Sequence, residues 1–504
     1  MLRRTLLSVA VAAGLSAAPY DVRAAGSLTI AQAQDPNSWD PVSTFLIAWG
    51  AAASNIFDGL VLRDEQLTLK PGLATSWEQL EGGMRLRFKL RQGVTFHNGE
   101  PFNAEAVKFT MDRLLGPEGA KGPQQSNYTS IGATEIVDAN TVDIVLKRPD
   151  PAMLTKLSGY GAMIVPPKYI AEKGSQAFGE APVGTGPFRV TGYENKVSLS
   201  LEANPGYWEG RPKLDKLTYR FIVEPNTQIA ELQAGRVDIA SQVPIALAST
   251  VANSPNLSLI SITGPGVTVL RYNTRTGPTT DERVRKAMIM AIDREAIVKQ
   301  ILQGHGKTVA SFQSDLSFGF DPSLKSLPFD VAGARKLLAD AKIAPNTAVS
   351  IDFQSNNTTF REVAQAITGY LGAVGLKAQL RPLETNIFIN DIIPNGKTGE
   401  MYQLGWGGWT FDYDNTAYLM YHSGEHWNPY EKDATLDAML EGQRTIADRK
   451  EREKALQKIA NYVADRALDL PLFNTNTMYG VNKRAKGLVP PPDNRWRFMN
   501  ATID

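Results

Sequence analysis

The stretch 183–238 allows few folds. It opens with Val183-Gly184-Thr185-Gly186-Pro187-Phe188, a tight glycine turn, and runs on into an alternating segment at 197–202. Asn204-Pro205-Gly206-Tyr207-Trp208 follows, then a second alternating segment at 217–222 and a helix-like one at 229–238 that Gly235 can end. Period-two runs after a glycine turn predict two strands, and the helical segment behind them predicts part of an α/β domain. At 504 residues the chain is too long for one core, so at least two domains are expected.

Charge is nearly balanced, with 53 Lys+Arg against 52 Asp+Glu, which leaves no electrostatic footprint for nucleic acid or an anionic membrane. The cysteine count of 0 excludes a disulfide framework, cysteine-held zinc and a thiol nucleophile. Met1-Leu2-Arg3-Arg4, the small and apolar run 5–18, and Ala24-Ala25 predict a secretory leader over 1–25, too short to span a membrane. No cysteine follows it to carry a lipid anchor. The mature chain is expected in the periplasm, cut near Ala24 or Ala25, without a membrane anchor.

Further along, 85–90 alternates as a half-buried strand. Asn103 is a candidate cap for a helix to Leu115, with Val107, Met111, Leu114 and Leu115 on one face. Strands are expected around Asp138-Ala139-Asn140 and at 267–273. An apolar helical face runs through 281–304, with a restart at Asp293. Helix at 332–341, strand at 349–353, helix at 362–372 and strand at 377–382 continue the α/β alternation. Asp448 and Glu451 form a capping box. The tail 476–504 carries no strong pattern beyond Pro490-Pro491-Pro492.

The wording V-G-T-G-P-F at 183–188, N-P-G-Y-W at 204–208, L-Q-A-G-R-V-D at 232–238 and V-R-K-A…A-I-D-R-E-A-I at 284–297 resembles the family 5 extracytoplasmic solute-binding proteins. These are the peptide and nickel receptors of ABC importers. The resemblance implies an α/β, two-lobed periplasmic binding protein fold (type II-like) with an additional α/β subdomain inserted in lobe I. It places the first segment of lobe I at 26–55, the insert at 56–182, the second segment at 183–265, lobe II at 266–475 and a return to lobe I at 476–504. Crossings fall near Gly264 and Thr475. It also implies a monomeric receptor without cofactor, which closes on a peptide or peptide-like, amine-bearing organic solute and delivers it to an ABC permease in the inner membrane. An opine, sugar or nickel chelate fits the same scaffold.

The chemically richest stretch is Gly405-Trp406-Gly407-Gly408-Trp409-Thr410-Phe411-Asp412-Tyr413-Asp414-Asn415. Glycines admit a ligand close to backbone, Trp406, Trp409, Phe411 and Tyr413 offer flat apolar walls, and Asp412 and Asp414 add charge. In peptide-binding relatives an aspartate near such a strand holds the ligand's α-ammonium, which the resemblance carries to Asp412 or Asp414. Many relatives have Asp-Tyr-Pro-Asp-Pro here, and this chain lacks both prolines. A buried strand followed by helix-capping carboxylates reads from the same residues. Arg271 lies in an apolar strand, where it either grips a ligand carboxylate or forms a structural pair. Tyr272, Asn273 and Trp39 are further candidates. No metal site is expected: His422 and His426 have helical spacing, but Gly424 and Pro429 break the helix it needs. Nickel-binding relatives use an arginine in the segment matching 157–166, which has none here. An exported hydrolase is the alternative of another class. Two carboxylates at i and i+2 of one strand lie only about 6.5 Å apart on one face, poorly placed to flank a glycosidic bond, and no G-x-S-x-G occurs. The chain is expected not to be an enzyme.

Overall fold

Two long strands carry the architecture of the computed structural model, which describes residues 26–504. The expected leader lies outside the described residues. Leu257–Tyr272 and Asp469–Asn482 run antiparallel along one another, from Leu257 opposite Asn482 to Arg271 opposite Asp469. They form the middle of an 11-stranded sheet. From Asp469–Asn482 it continues through Ile239–Ala240, Ser27–Gln32, Lys216–Phe221, Ser198–Ala203 and Phe188–Glu194. From Leu257–Tyr272 it continues the other way through Met401–Gly407, Thr347–Gln354 and Leu376–Leu383. Separate apolar cores pack on the two ends, one around Trp39, Trp49 and Tyr219, the other around Met288, Ile351 and Ile367. The fold is α/β and two-lobed.

Between the lobes the ladder is interrupted. Thr263 pairs with Asn476 and Val267 with Asn474, so one strand spends more residues than its partner. A bulge of this kind leaves carbonyls without ladder partners. The Asn474 side-chain amide satisfies them, donating to Gly264 O at 2.9 Å and Gly266 O at 2.7 Å. Among the described residues, only these two strands carry the sheet from one lobe to the other.

A smaller antiparallel sheet, Ala74–Leu80, Arg85–Leu90, Thr141–Leu146 and Ile131–Asp138, packs under the helix Ala104–Leu115. Asn103 caps that helix through the amides of Glu105 and Ala106, and Val107, Met111 and Leu114 are fully buried. The expected alternation at 85–90 is real, with Leu86, Phe88 and Leu90 inward. Asp448 caps Arg449–Asp465 as expected. The 281–304 face resolves into two helices, Glu282–Ala291 and Arg294–Gln300, because Asp293 caps the second through Ala296 N. The tail is better ordered than its sequence suggests. Trp496, Phe498 and Ala501 are buried, held by Asn55, whose side-chain amide donates to Trp496 O at 2.8 Å.

Candidate binding cleft

The strand Met401–Gly407 lies against the second half of Leu257–Tyr272, with Gly407 opposite Gly266. It therefore delivers the Gly- and Trp-rich segment to the crossing between the lobes. A cavity of 1560 Å³ opens there. Phe45, Arg148, Asp150, Lys156 and Tyr160 line it from one lobe, and Trp406, Trp409, Phe411, Tyr418 and Arg444 from the other. Pro265 and Gly266 of the crossing also line it. Aromatic walls around a few charged groups suit a small organic ligand.

Trp406 donates from Nε1 to Thr416 Oγ1 at 3.1 Å and packs on Trp427, with ring centroids 6.1 Å apart. Trp409 follows in a turn closed by Phe411, whose φ of 52° lies in the left-handed region. Asp412 then caps the helix Tyr413–Tyr421 through Asp414 N at 3.0 Å.

Both aspartates are already spoken for. Asp412 takes both guanidinium nitrogens of Arg452 at 2.7 Å each and does not line the cavity. Asp414 does line it, but accepts from Arg444 at 2.7 and 3.1 Å and from Gln443. Burial pushes the Asp414 carboxyl up, and Arg444 more than offsets this, leaving it below the usual value and ionised. What the cavity meets is an ion pair, with the Arg444 guanidinium stacked 3.4 Å over the Tyr418 ring. This differs from the expected free ammonium anchor.

Of the other sequence candidates, Trp406, Trp409 and Phe411 reach the cavity wall, whereas Tyr413, Arg271, Tyr272, Asn273 and Trp39 do not. Tyr413 is a core residue beside Tyr402 and Tyr421. Arg271 is buried and turns its two terminal nitrogens to Met420 O at 2.6 Å and Trp427 O at 2.9 Å, with Asp469 opposite it in the sheet, so it serves the core. Tyr272 packs in the core with Met288. Asn273 donates to Thr398 O at 3.3 Å, and Trp39 sits fully buried, edge-on to Tyr193. The His422–His426 segment is a loop; His422 stacks on Tyr418 and meets Glu441 at 3.0 Å. Sequence reasoning missed Phe45, Arg148, Lys156 and Arg444. Phe45-Leu46-Ile47, an exposed apolar run, was the one signal available for that rim.

A two-lobed chain joined by two strands, with an aromatic and charged cavity at their crossing, defines a receptor that encloses a small solute. The chain belongs to the bacterial extracellular solute-binding proteins, family 5, whose model matches residues 68–428. It is similar to the glutathione-binding protein GsiB of Salmonella typhi, 26% identical over 498 residues, 97% of this chain and 96% of that one. Among solved structures it resembles HbpA2 from Haemophilus parasuis, with TM-score 0.86, 25% identity, and 95% and 100% of the two chains covered. It also resembles AgaA from A. tumefaciens R10 in complex with agropinic acid, with TM-score 0.76, 26% identity, and 95% and 99% covered. The chain is an extracytoplasmic substrate-binding protein of an ABC importer, a transport component and not an enzyme. Among the described residues no helix is long and apolar enough to cross a membrane.

Proposed function

We propose that the cleft captures a peptide-like, zwitterionic organic solute and holds it between unpaired charges of opposite sign on the two lobes. The observation that carries this is which charges remain free once the ion pairs are removed, together with Arg63, whose donors are taken by three carbonyls, and Glu441, which is engaged in a hydrogen bond with the His422 ring. Asp414 goes to Arg444, Asp150 to Lys156 and Asp493 to Arg495. Arg148, on one side, donates only to Thr129 Oγ1 at 3.2 Å, and Glu425, on the other, forms no ion pair among the described residues. Both line the cavity. A ligand carboxylate meets Arg148, a ligand ammonium meets Glu425, and Trp406, Trp409 and Tyr418 cover what lies between. The volume exceeds the roughly 300–1,000 Å³ of an ordinary small-molecule pocket, which favours a solute of several linked residues. The names of relatives, glutathione-binding proteins and an agropinic acid complex, support the same class.

On this reading the protein works as a periplasmic monomer, cut from its leader near Ala25. Lobe I is built from 26–265, with 56–182 as its insert, and from the return segment 476–504; lobe II is 266–475. The lobes close on the solute and present it to the permease. A thermal-shift panel of the mature chain with short peptides, glutathione, opines and nickel chelates tests it. A zwitterionic peptide-like solute at a hundred times its Kd adds about 2.7 kcal/mol. Affinity for that solute falls at least about tenfold in Glu425→Gln and in Arg148→Gln, as expected for losing a charged hydrogen bond. A panel without any shift, or a shift that both variants leave intact, refutes the assignment.

A further inference from the structure

Arg63 ends the short strand Val61–Arg63, which pairs with Leu69–Pro71 beside the small antiparallel sheet. Its guanidinium donates to Thr155 O at 3.2 Å within its own lobe. It then crosses the cleft, donating to Trp409 O at 3.0 Å and Thr410 O at 3.2 Å, and lies 5.1 Å from the Phe411 ring centroid. No carboxylate lies within ion-pair distance of it among the described residues. Burial, with the nearby charge of Arg495, pulls its pKa down to about 9. A half-buried cation without a carboxylate beside it is held in place by the carbonyls that satisfy its donors. Two of its three acceptors belong to the opposite lobe.

The side chain of Trp409 completes the contact. It seats against bare backbone: a Cβ built on Gly159 would come within 2.6 Å of Trp409 Cζ3. The Phe45 ring lies 6.3 Å from it, centroid to centroid. Arg285 and Arg294 use the same device, a guanidinium bonded to carbonyls, but entirely within one lobe, as with Arg285 on Ala467 O and Arg466 O. There the device fixes a core. At Arg63 it spans the one gap in the molecule that must open and shut.

We propose that Arg63 is a positioning residue that latches the Trp409–Thr410 turn to the facing lobe, so that the closed form is favoured before any solute binds. The latch sets the fraction of binding-competent molecules, and the apparent affinity for any solute scales with that fraction. It is independent of which solute the cleft takes.

The absence of native cysteine allows a clean test without solute. Spin labels at Ala133→Cys and Ala434→Cys, both exposed and on opposite lobes, report the inter-lobe distance distribution. The unmodified latch gives mainly the short distance. Arg63→Met moves the closed-to-open ratio down at least about a hundredfold, the order expected for two lost bonds to a charged donor. Arg63→Lys, which keeps the charge and part of the donor set, falls between. Trp409→Ala, which leaves the arginine in place but removes the ring from its seat on Gly159, shifts the distribution the same way and carries the test if Arg63→Met does not fold. Distributions unchanged in the folded Arg63→Met chain, or in Trp409→Ala, overturn the latch. The labels read closure without ligand, so failure of the solute panel and failure of the latch are separate results.

Discussion

Asp412 and Asp414 stand two residues apart and answer to different arginines. Arg452 and Asp412 have side chains only 5% and 6% exposed, so the pair is effectively sealed from water. Removing one member of a buried pair leaves the other charged and uncompensated, which typically costs about 3–5 kcal/mol, whereas removing both costs far less. Arg452→Met is therefore expected to destabilise the protein by about 3 kcal/mol, and the double variant with Asp412→Asn to recover much of that loss. Urea unfolding of the four species, read as a double-mutant cycle, measures it; additive losses would show that the pair is uncoupled. The sequence marked this segment as chemically rich, and its Trp406, Trp409, Phe411 and Asp414 line the cavity. It could not show that the carboxylates were occupied, because their partners sit 30 and 40 positions away with no spacing rule to connect them. The cavity's free charges were hidden for the same reason.

At the scale of elements, the phrases that made the family legible are framework. The glycine turn presses against the 55–58 segment: Gly186 N donates to Ile56 O at 2.9 Å and Phe188 N to Asn55 O at 2.8 Å. Asp58, fully buried, collects Thr185 Oγ1 at 3.1 Å, Tyr207 at 3.2 Å, Trp208 Nε1 at 3.0 Å and Arg497 at 2.8 Å. Two separate sequence motifs thus meet on one carboxylate, away from the cleft. A Cβ on Gly184 would fall 2.0 Å from Ile56 O, a clash with backbone that no rotamer relieves. Gly184→Ala is expected to cost about 3 kcal/mol or more, while Gly192→Ala, whose nearest neighbour atom is 4.0 Å away, stays within about 1 kcal/mol. Thermal melts of the two variants decide this; equal shifts would mean the close approach is unimportant. Elements of this kind read well from sequence because turn, cap and alternation are local constraints. The tail around Trp496 did not, since contacts with residues far away in the chain, Asn55, Asp58 and Tyr479 among them, order it.

The whole molecule joins two lobes whose acid responses oppose each other. In one, His97 braces the glycine turn, taking a hydrogen bond from Gly184 N at Nδ1 and placing Nε2 3.0 Å from Gly186 O. Burial pulls its pKa from 6.5 down to about 4, and a charged ring would besides put a proton on Nδ1 facing the Gly184 amide hydrogen. The stability it contributes is present above pH 6.5 and is lost as pH falls toward 4. In the other lobe Asp469 lies in the core, accepting from the Tyr421 hydroxyl opposite Arg271. Burial raises its pKa from 3.8 to about 6, against the pull of Tyr421 and Arg271. Its contribution has the reverse sign, full below 3.8 and lost as pH rises through about 6. Between these limits the two slopes partly cancel in the intact chain. Asp469→Asn removes one of them, and its amide oxygen still accepts from Tyr421. The gap between Asp469→Asn and the parent should therefore widen in the variant's favour by about 3 kcal/mol from pH 4 to pH 7, two units at about 1.4 kcal/mol each. Urea unfolding at both pH values measures that gap. A gap that stays constant would mean Asp469 titrates alike in the folded and unfolded chain, and that acid acts on this receptor through the His97 side alone.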